Sequence, residues 1–161
     1  MIVLENKSVL VTGGAGFVGS NLVRRLIRDG AKVTVLDDLF TGTLANLPPS
    51  GFDFIEGSVC DAALIDKVVP EHAVVFHMAA RNIIVSTKNP REDFQSNIGG
   101  TLNVLMAARA AKVKRLFALT TRTLHWFLAQ GFRAVEVGTL PGERRALYNW
   151  KRGSKVFAKK L

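Results

Sequence analysis

Short apolar runs alternate with amphipathic stretches along most of the chain. Residues 8–11 form an apolar run ahead of a glycine-rich turn, which predicts a buried strand. Residues 16–28 follow with Phe17, Val18, Leu22, Leu26 and Ile27 at helical spacing, and Gly30 stands where a helix end tolerates positive φ. Residues 32–36 and 52–56 predict two more strands, parted by a turn-rich stretch holding Pro48 and Pro49. Residues 62–69 predict a short helix capped by Asp61, and residues 73–77 a fourth strand. Residues 91–111 predict one long helix in which Gly99 and Gly100 permit close packing or a kink. Strands five and six are expected over 115–119 and 133–137, with a helix over 123–130 between them that Gly131 stops. Pro141 suits the first turn of a last short helix reaching about residue 149, and residues 155–159 alternate as a final strand.

Strand–helix alternation at this spacing predicts an α/β chain with a parallel sheet and right-handed crossovers. The 161 residues suit one domain, 1–161, with a sizeable core. Hydrophobic residues make up 48% and charged ones 22%, which argues against disorder. No stretch approaches the roughly 18–20 uninterrupted apolar residues of a membrane span, and the N-terminus lacks a basic segment followed by a long apolar run. The lone Cys60 excludes an intrachain disulfide and a multi-cysteine zinc site. No metal site is expected, and a cytoplasmic, reducing setting fits.

Charge divides the chain. Residues 1–111 carry 10 Lys/Arg and 11 Asp/Glu, whereas residues 112–161 carry 12 and 2. Such asymmetry can mark a polyanion-binding arm. With no nucleic-acid motif beside it, a solvated basic face is the expected reading, and nucleic acid is not an expected partner.

The segment VLVTGGAGFVGSNL, residues 9–22, carries the strongest chemistry. Gly13 allows a tight turn after a strand, Gly16 lets a pyrophosphate approach the backbone, and Gly19 lets helix and strand pack closely. The helix end then faces phosphates with free amides and a positive dipole. Asp37 closes the second strand, about where a carboxylate grips both ribose hydroxyls and repels a 2′-phosphate. A dinucleotide partner, NAD rather than NADP, is therefore expected. Two tempting residues are read conservatively: His77 as hydrogen-bonded core and Cys60 as a small packing residue.

Residues 1 to about 118 resemble the N-terminal half of an extended short-chain dehydrogenase/reductase of the NAD-dependent epimerase/dehydratase type. The matching stretches are TGGAGFVGSNL, VLDDLFTG, GSVCD, VFHMAA and NIGGTLNVLMAARAAKVKRL. The resemblance implies that Phe17 and Val18 lie under the pyrophosphate and that Asp37 binds the adenosine ribose. It has Asp61, with Val59 or Cys60, frame the adenine. Ala79 and Ala80 line the nicotinamide side, and Asn97 supports that region from the long helix.

The same resemblance requires a Ser or Thr after the fifth strand, then a Tyr–x–x–x–Lys pair whose lysine lowers the tyrosine's pKa. Thr120 and Thr121 lie where the serine run begins, but Arg122 takes the usual catalytic position. The one tyrosine, Tyr148, has Lys151 three residues on and Arg152 in the fourth place, and it follows the sixth strand instead of preceding it. No catalytic residue is therefore assigned. Residual oxidoreductase chemistry through Thr120 or Thr121 and Tyr148 stands as the alternative to a non-catalytic chain, and polyanion binding as a second.

RLFALTTRTLHWFLAQGF, VEVGTLP and ALYNWKRGSKVF, within residues 115–161, resemble the C-terminal end of N-acetylglutamate synthase, an acetyltransferase of the GNAT type. The acetyl-CoA loop of that family lies upstream and has no counterpart here, so the resemblance implies origin rather than acetyl transfer, even though Tyr148 and Asn149 match site residues. The expectation is a recombinant or engineered chimera joined near residues 114–119. Its sheet should be a three-layer, doubly wound Rossmann-like one, with six parallel strands in the order 3-2-1-4-5-6. The acetyltransferase likeness implies an antiparallel last strand inserted to give 3-2-1-4-5-7-6. Leu124, Phe127 and Leu128 would cover a sheet face. An apolar face left by the missing substrate domain would be exposed, or hidden in a homodimer.

Overall fold

The computed structural model describes residues 4–112, 115–120, 128–129, 131–140, 145 and 155–160. The chain divides into two compact units, one spanning Leu4–Ala111 and the other including Lys112–Leu161.

In the first unit, β1 (Ser8–Thr12), β2 (Lys32–Asp37), β3 (Phe52–Glu56) and β4 (Val74–His77) form a sheet in the order β3-β2-β1-β4. All three ladders are parallel, with Val9 opposite both Val33 and Val74. Val9, Leu10 and Val11 are fully buried, as a strand covered on both faces must be. Helix α1 (Phe17–Arg28) buries Gly19, Ser20, Val23 and Leu26. Phe17 and Val18, expected in its apolar set, instead stand 85% and 63% exposed, because the buried stripe follows positions 19, 23 and 26. Gly30 takes φ +77° and its amide donates to the Ile27 carbonyl, closing the helix as expected.

Helix α2 (Ala62–Val68) is capped by Asp61, whose carboxylate accepts the Leu64 amide. Helix α3 (Ile83–Lys88) comes next. The long helix expected over 91–111 then follows as one continuous helical run, made of α4 (Pro90–Asp93), a π-helical stretch (Phe94–Gly100) that includes Gly99 and Gly100, and α5 (Thr101–Ala110). Asn82 caps α3 and Asn89 caps α4, and Pro90 in the first turn forces the restart. Gly100 lies against Val59; a Cβ there would come 2.4 Å from a valine methyl.

The second unit holds β5 (Arg115–Thr120), β6 (Arg133–Val135) and β7 (Lys155–Lys160) in the order β5-β7-β6. The last strand is antiparallel to both neighbours and lies between them, as expected. Val156 and Phe157 are buried, with Phe132 and Leu140. The sixth strand ends two residues early, because residues 137–139 form a 3-10 turn held by the Thr139 amide on the Glu136 carbonyl. Gly131 adopts φ +77° and donates to the Leu128 carbonyl, which fits a helix stop. Leu128 is 48% exposed, so it does not cover a sheet face. Most of the expected 123–130 helix, the 141–149 helix, Thr121, Arg122, Tyr148, Asn149, Lys151 and Arg152 lie outside the described residues.

Candidate functional site

A parallel sheet ordered 3-2-1-4 gathers the loops that leave its carboxyl edge, and the crevice between β1 and β4 is where such folds take ligands. Here that edge holds a cleft open to solvent. Gly13, Gly16, Asp37, Val59, Ala79 and Ala80 line it, six of the residues expected at the site.

Gly13 turns directly off β1 with φ +66°, and its amide donates to the Leu36 carbonyl. A Cβ at Gly13 would come 2.6 Å from the backbone of Ala79, so glycine lets the loops after β1 and β4 touch. Gly19 is tighter: its Cβ would meet the Gly13 carbonyl oxygen at 2.1 Å, which fixes α1 against the turn. Around Gly16 space is left open. Among the described residues a Cβ there would meet only the Gly13 oxygen, at 3.3 Å. Gly16 is also the N-cap of α1 with no side-chain cap, and the first turn carries no acidic residue. The helix therefore presents its first amides and its positive dipole end without a built-in anion.

Asp37 is 6% exposed and does more than end β2. One carboxylate oxygen accepts the Ala15 amide at 2.9 Å and the other accepts the Leu39 amide at 2.9 Å. The Ala15 carbonyl in turn accepts Asn46 Nδ2 at 2.8 Å and the Thr43 amide at 3.2 Å. The glycine turn is thus held from both sides by the segment after β2. Each carboxylate oxygen keeps a further lone pair for a ribose hydroxyl.

The remaining expected residues are placed differently. Asp61 does not line the cleft; its carboxylate is committed to capping α2. Cys60 is exposed, and its thiol lies 3.5 Å from the Gln95 carbonyl. Phe17 and Val18 sit exposed at the start of α1. Asn97, on the π-helical stretch, accepts the Arg81 amide at 2.6 Å and donates to the Arg81 carbonyl at 3.0 Å. It therefore supports the loop after β4 through the backbone of one residue. Its carbonyl accepts the Thr101 hydroxyl, so Thr101 has only a lone pair left for His77 Nε2 at 3.0 Å. The imidazole thus donates from Nε2, and Nδ1 accepts the Thr12 hydroxyl at 2.7 Å. Burial pushes the His77 pKa down, and the ring is a neutral core strut, as the sequence suggested.

Sequence reasoning missed Asp38, Thr41, Gly42, Gly57, Met78, Arg81 and Ser96, which also line the cleft. Five of them stood inside stretches already singled out, VLDDLFTG, GSVCD and VFHMAA; Arg81 follows directly on Ala80 with no such signal. Arg81 grips Asp38 with both terminal nitrogens at 2.8 and 3.2 Å, reaches Glu92 at 3.2 Å, and lies 3.9 Å from the centre of the Phe40 ring. Partial burial works against the Asp38 charge, but the Arg81 hydrogen bonds, the Phe40 amide and the guanidinium charge outweigh it and hold its pKa below the ordinary value. The Asp38 hydrogen bond likewise raises the Arg81 pKa.

The model of the NAD dependent epimerase/dehydratase family matches residues 9–126. The chain belongs to that family. It is 37% identical over 111 residues to a UDP-glucose 4-epimerase of Lactobacillus helveticus, covering 67% of this chain and 33% of the relative. The chain thus spans about a third of the length of the family members it matches. A Thermus thermophilus UDP-glucose 4-epimerase solved in complex with NAD superposes with a TM-score of 0.61 at 40% identity, over 66% of this chain and 35% of that one. On a separate part, the chain is 61% identical over 54 residues to an amino-acid acetyltransferase of Ralstonia nicotianae, covering 34% of this chain and 12% of the relative. The two likenesses are those read from the sequence; the family match runs past residue 118, where the epimerase-like stretch was expected to end. Among the described residues no helix is long and apolar enough to cross a membrane.

Proposed function

We propose that the Leu4–Ala111 unit binds NAD(H) in this cleft, and that the chain does not turn over a sugar nucleotide efficiently. One observation carries the first half: an uncapped helix end, an open Gly16 and the Asp37 carboxylate face the same crevice. The residues present fit the cofactor. The amides at the start of α1 would hold the pyrophosphate, Asp37 the adenosine ribose, and Val59 the adenine edge. Ala79 and Ala80 would line the nicotinamide side. Bound NAD would supply a hydride acceptor.

The second half rests on the sequence. Arg122 stands at the usual position of the catalytic hydroxyl, and Tyr148 lacks a lysine four residues on. The acetyltransferase likeness falls on a separate part of the chain from most of the epimerase match, which favours a chain joined from two sources. Isothermal titration of NAD into the full chain tests binding, with a measurable Kd below millimolar expected; no heat at millimolar NAD would leave only the fold. A turnover assay with NAD and nucleotide sugars tests the rest, and any product lost in Tyr148→Phe overturns the non-catalytic reading.

Phe94, Ile98, Leu102 and Met106 are each more than half exposed at every fourth position. That stripe favours a homodimer, which sedimentation velocity tests.

A further inference from the structure

Three charged side chains line the cleft among the described residues, namely Asp37, Asp38 and Arg81. Their engagements differ. Asp37 spends both oxygens on backbone amides of Ala15 and Leu39, so it builds the turn as well as facing the cleft. Asp38 spends both of its oxygens on Arg81. Leu39 between them takes φ +54°, a left-handed conformation uncommon for a branched side chain. Asp37 holds that conformation through the Leu39 amide, and Asp38 accepts the next amide, Phe40, at 3.2 Å. The kink brings Asp38 and Phe40 together on the guanidinium, one as counter-charge and one as π-face. From the other side, Asn97 pins the Arg81 backbone and Glu92 takes Nε. Arg81 is thereby 12% exposed, on a tightly fixed backbone.

We infer that Asp38, by consuming the Arg81 guanidinium at the cleft, is a specificity-determining residue that excludes a dinucleotide carrying an extra phosphate on its ribose. The inference rests on the NAD-binding reading. A bidentate guanidinium is the side chain best shaped to take a phosphate monoester. With Asp38 in place that fork is filled, and the cleft presents two carboxylates against one cation. Without it, the fork opens toward the cleft, with Glu92 still holding Nε.

The test compares NAD and NADP affinities by titration calorimetry in wild type, Asp38→Asn, Arg81→Gln and the double variant. Asn keeps the size of Asp38 and an acceptor for the Phe40 amide. In Asp38→Asn the ratio of NADP to NAD dissociation constants should fall by roughly tenfold or more. In the double variant the gain should disappear. A partly folded variant weakens both ligands alike, so the ratio still reads the effect. Wild type that binds NAD while Asp38→Asn leaves the ratio unchanged overturns this inference and spares the binding reading. A ratio that falls equally in the double variant overturns the role given to Arg81. Wild type that binds neither dinucleotide overturns the binding reading itself.

Discussion

In Leu4–Ala111 every strand runs parallel to its neighbours, whereas in the second unit β7 runs antiparallel to both β5 and β6. The difference is one of where chain ends go. Parallel ladders require crossovers, so all the loops leaving strand carboxyl ends gather on one edge. Gly13, Asp37, Asp38 and Ala79 come from three different strands and meet there for that reason. An antiparallel insertion sends successive ends to opposite edges. The second unit accordingly buries a core of Phe132, Val156 and Phe157 while its strand ends are dispersed. Packing alone suffices for a sheet; convergence of loops is what makes a cleft.

Glycine exposes the contrast most sharply. At position 19 an added methyl meets a backbone oxygen at 2.1 Å and the Gly14 Cα at 2.7 Å, neither of which is a flexible group. Gly19→Ala should therefore cost more than about 4 kcal/mol, in the range reserved for backbone clashes and severe overpacking. Urea denaturation followed by circular dichroism measures it. A loss under about 1 kcal/mol would mean that α1 can slide off the turn and that the cleft is not held as described.

The second unit should lose most from its centre. Phe157 is fully buried in the strand that both neighbours share. Phe157→Ala should cost about 3 kcal/mol, since a buried aromatic leaves a cavity that its surroundings fill only in part. The check is the unfolding midpoint read by a probe in each unit. Equal destabilisation of both probes would show that the units unfold together, which would blunt the comparison drawn above.

Much of this was legible in sequence where a local rule decides the outcome. The apolar run at 9–11, set directly before a glycine-rich turn, reads as a strand buried on both faces, and Gly13 and Gly19 mark contacts too close for a side chain. The expected places of Asp37, Val59, Ala79 and Ala80 at the cleft follow from the order of motifs. Where the deciding partner is distant in sequence, the reading failed. Arg81 finds Asp38 across 43 positions, and nothing in either neighbourhood forecasts a bidentate pair. Asp61, by contrast, caps α2 as its place just before the helix predicts. The long helix over 91–111 was legible in its extent; its π-helical stretch over Phe94–Gly100 carried no local signal beyond Gly99 and Gly100.

A smaller effect tests the interior of the first unit by pH. Burial lowers the His77 pKa beneath its ordinary value of 6.5, so the unfolded chain binds the proton more readily than the folded one. Stability should be full above pH 6.5, fall as the pH drops through that value, and level off below the folded pKa. Protonation would add a proton at Nδ1, where Thr12 now donates. His77→Gln should be less stable at neutral pH but should lack this titration. Urea midpoints of both proteins between pH 7.5 and 5.0 decide it; parallel curves would place the pH dependence elsewhere.

The smallest expected effect lies at a second-unit glycine. Gly138 sits in the 3-10 turn over Val137–Thr139, and among the described residues, its chain neighbours aside, no heavy atom lies within 4 Å of where its Cβ would go. Alanine there meets no clash and no left-handed backbone, while it narrows the conformations open to the unfolded chain. Gly138→Ala should thus leave the protein equal or slightly more stable, by about 0.5 kcal/mol. Set against Gly19→Ala, it separates what glycine does by absence of bulk from what it does by flexibility. The midpoint shift in urea is the measure, and a loss of 1 kcal/mol or more would mean that residue 138 is packed as closely as residue 19, erasing the difference between the two units.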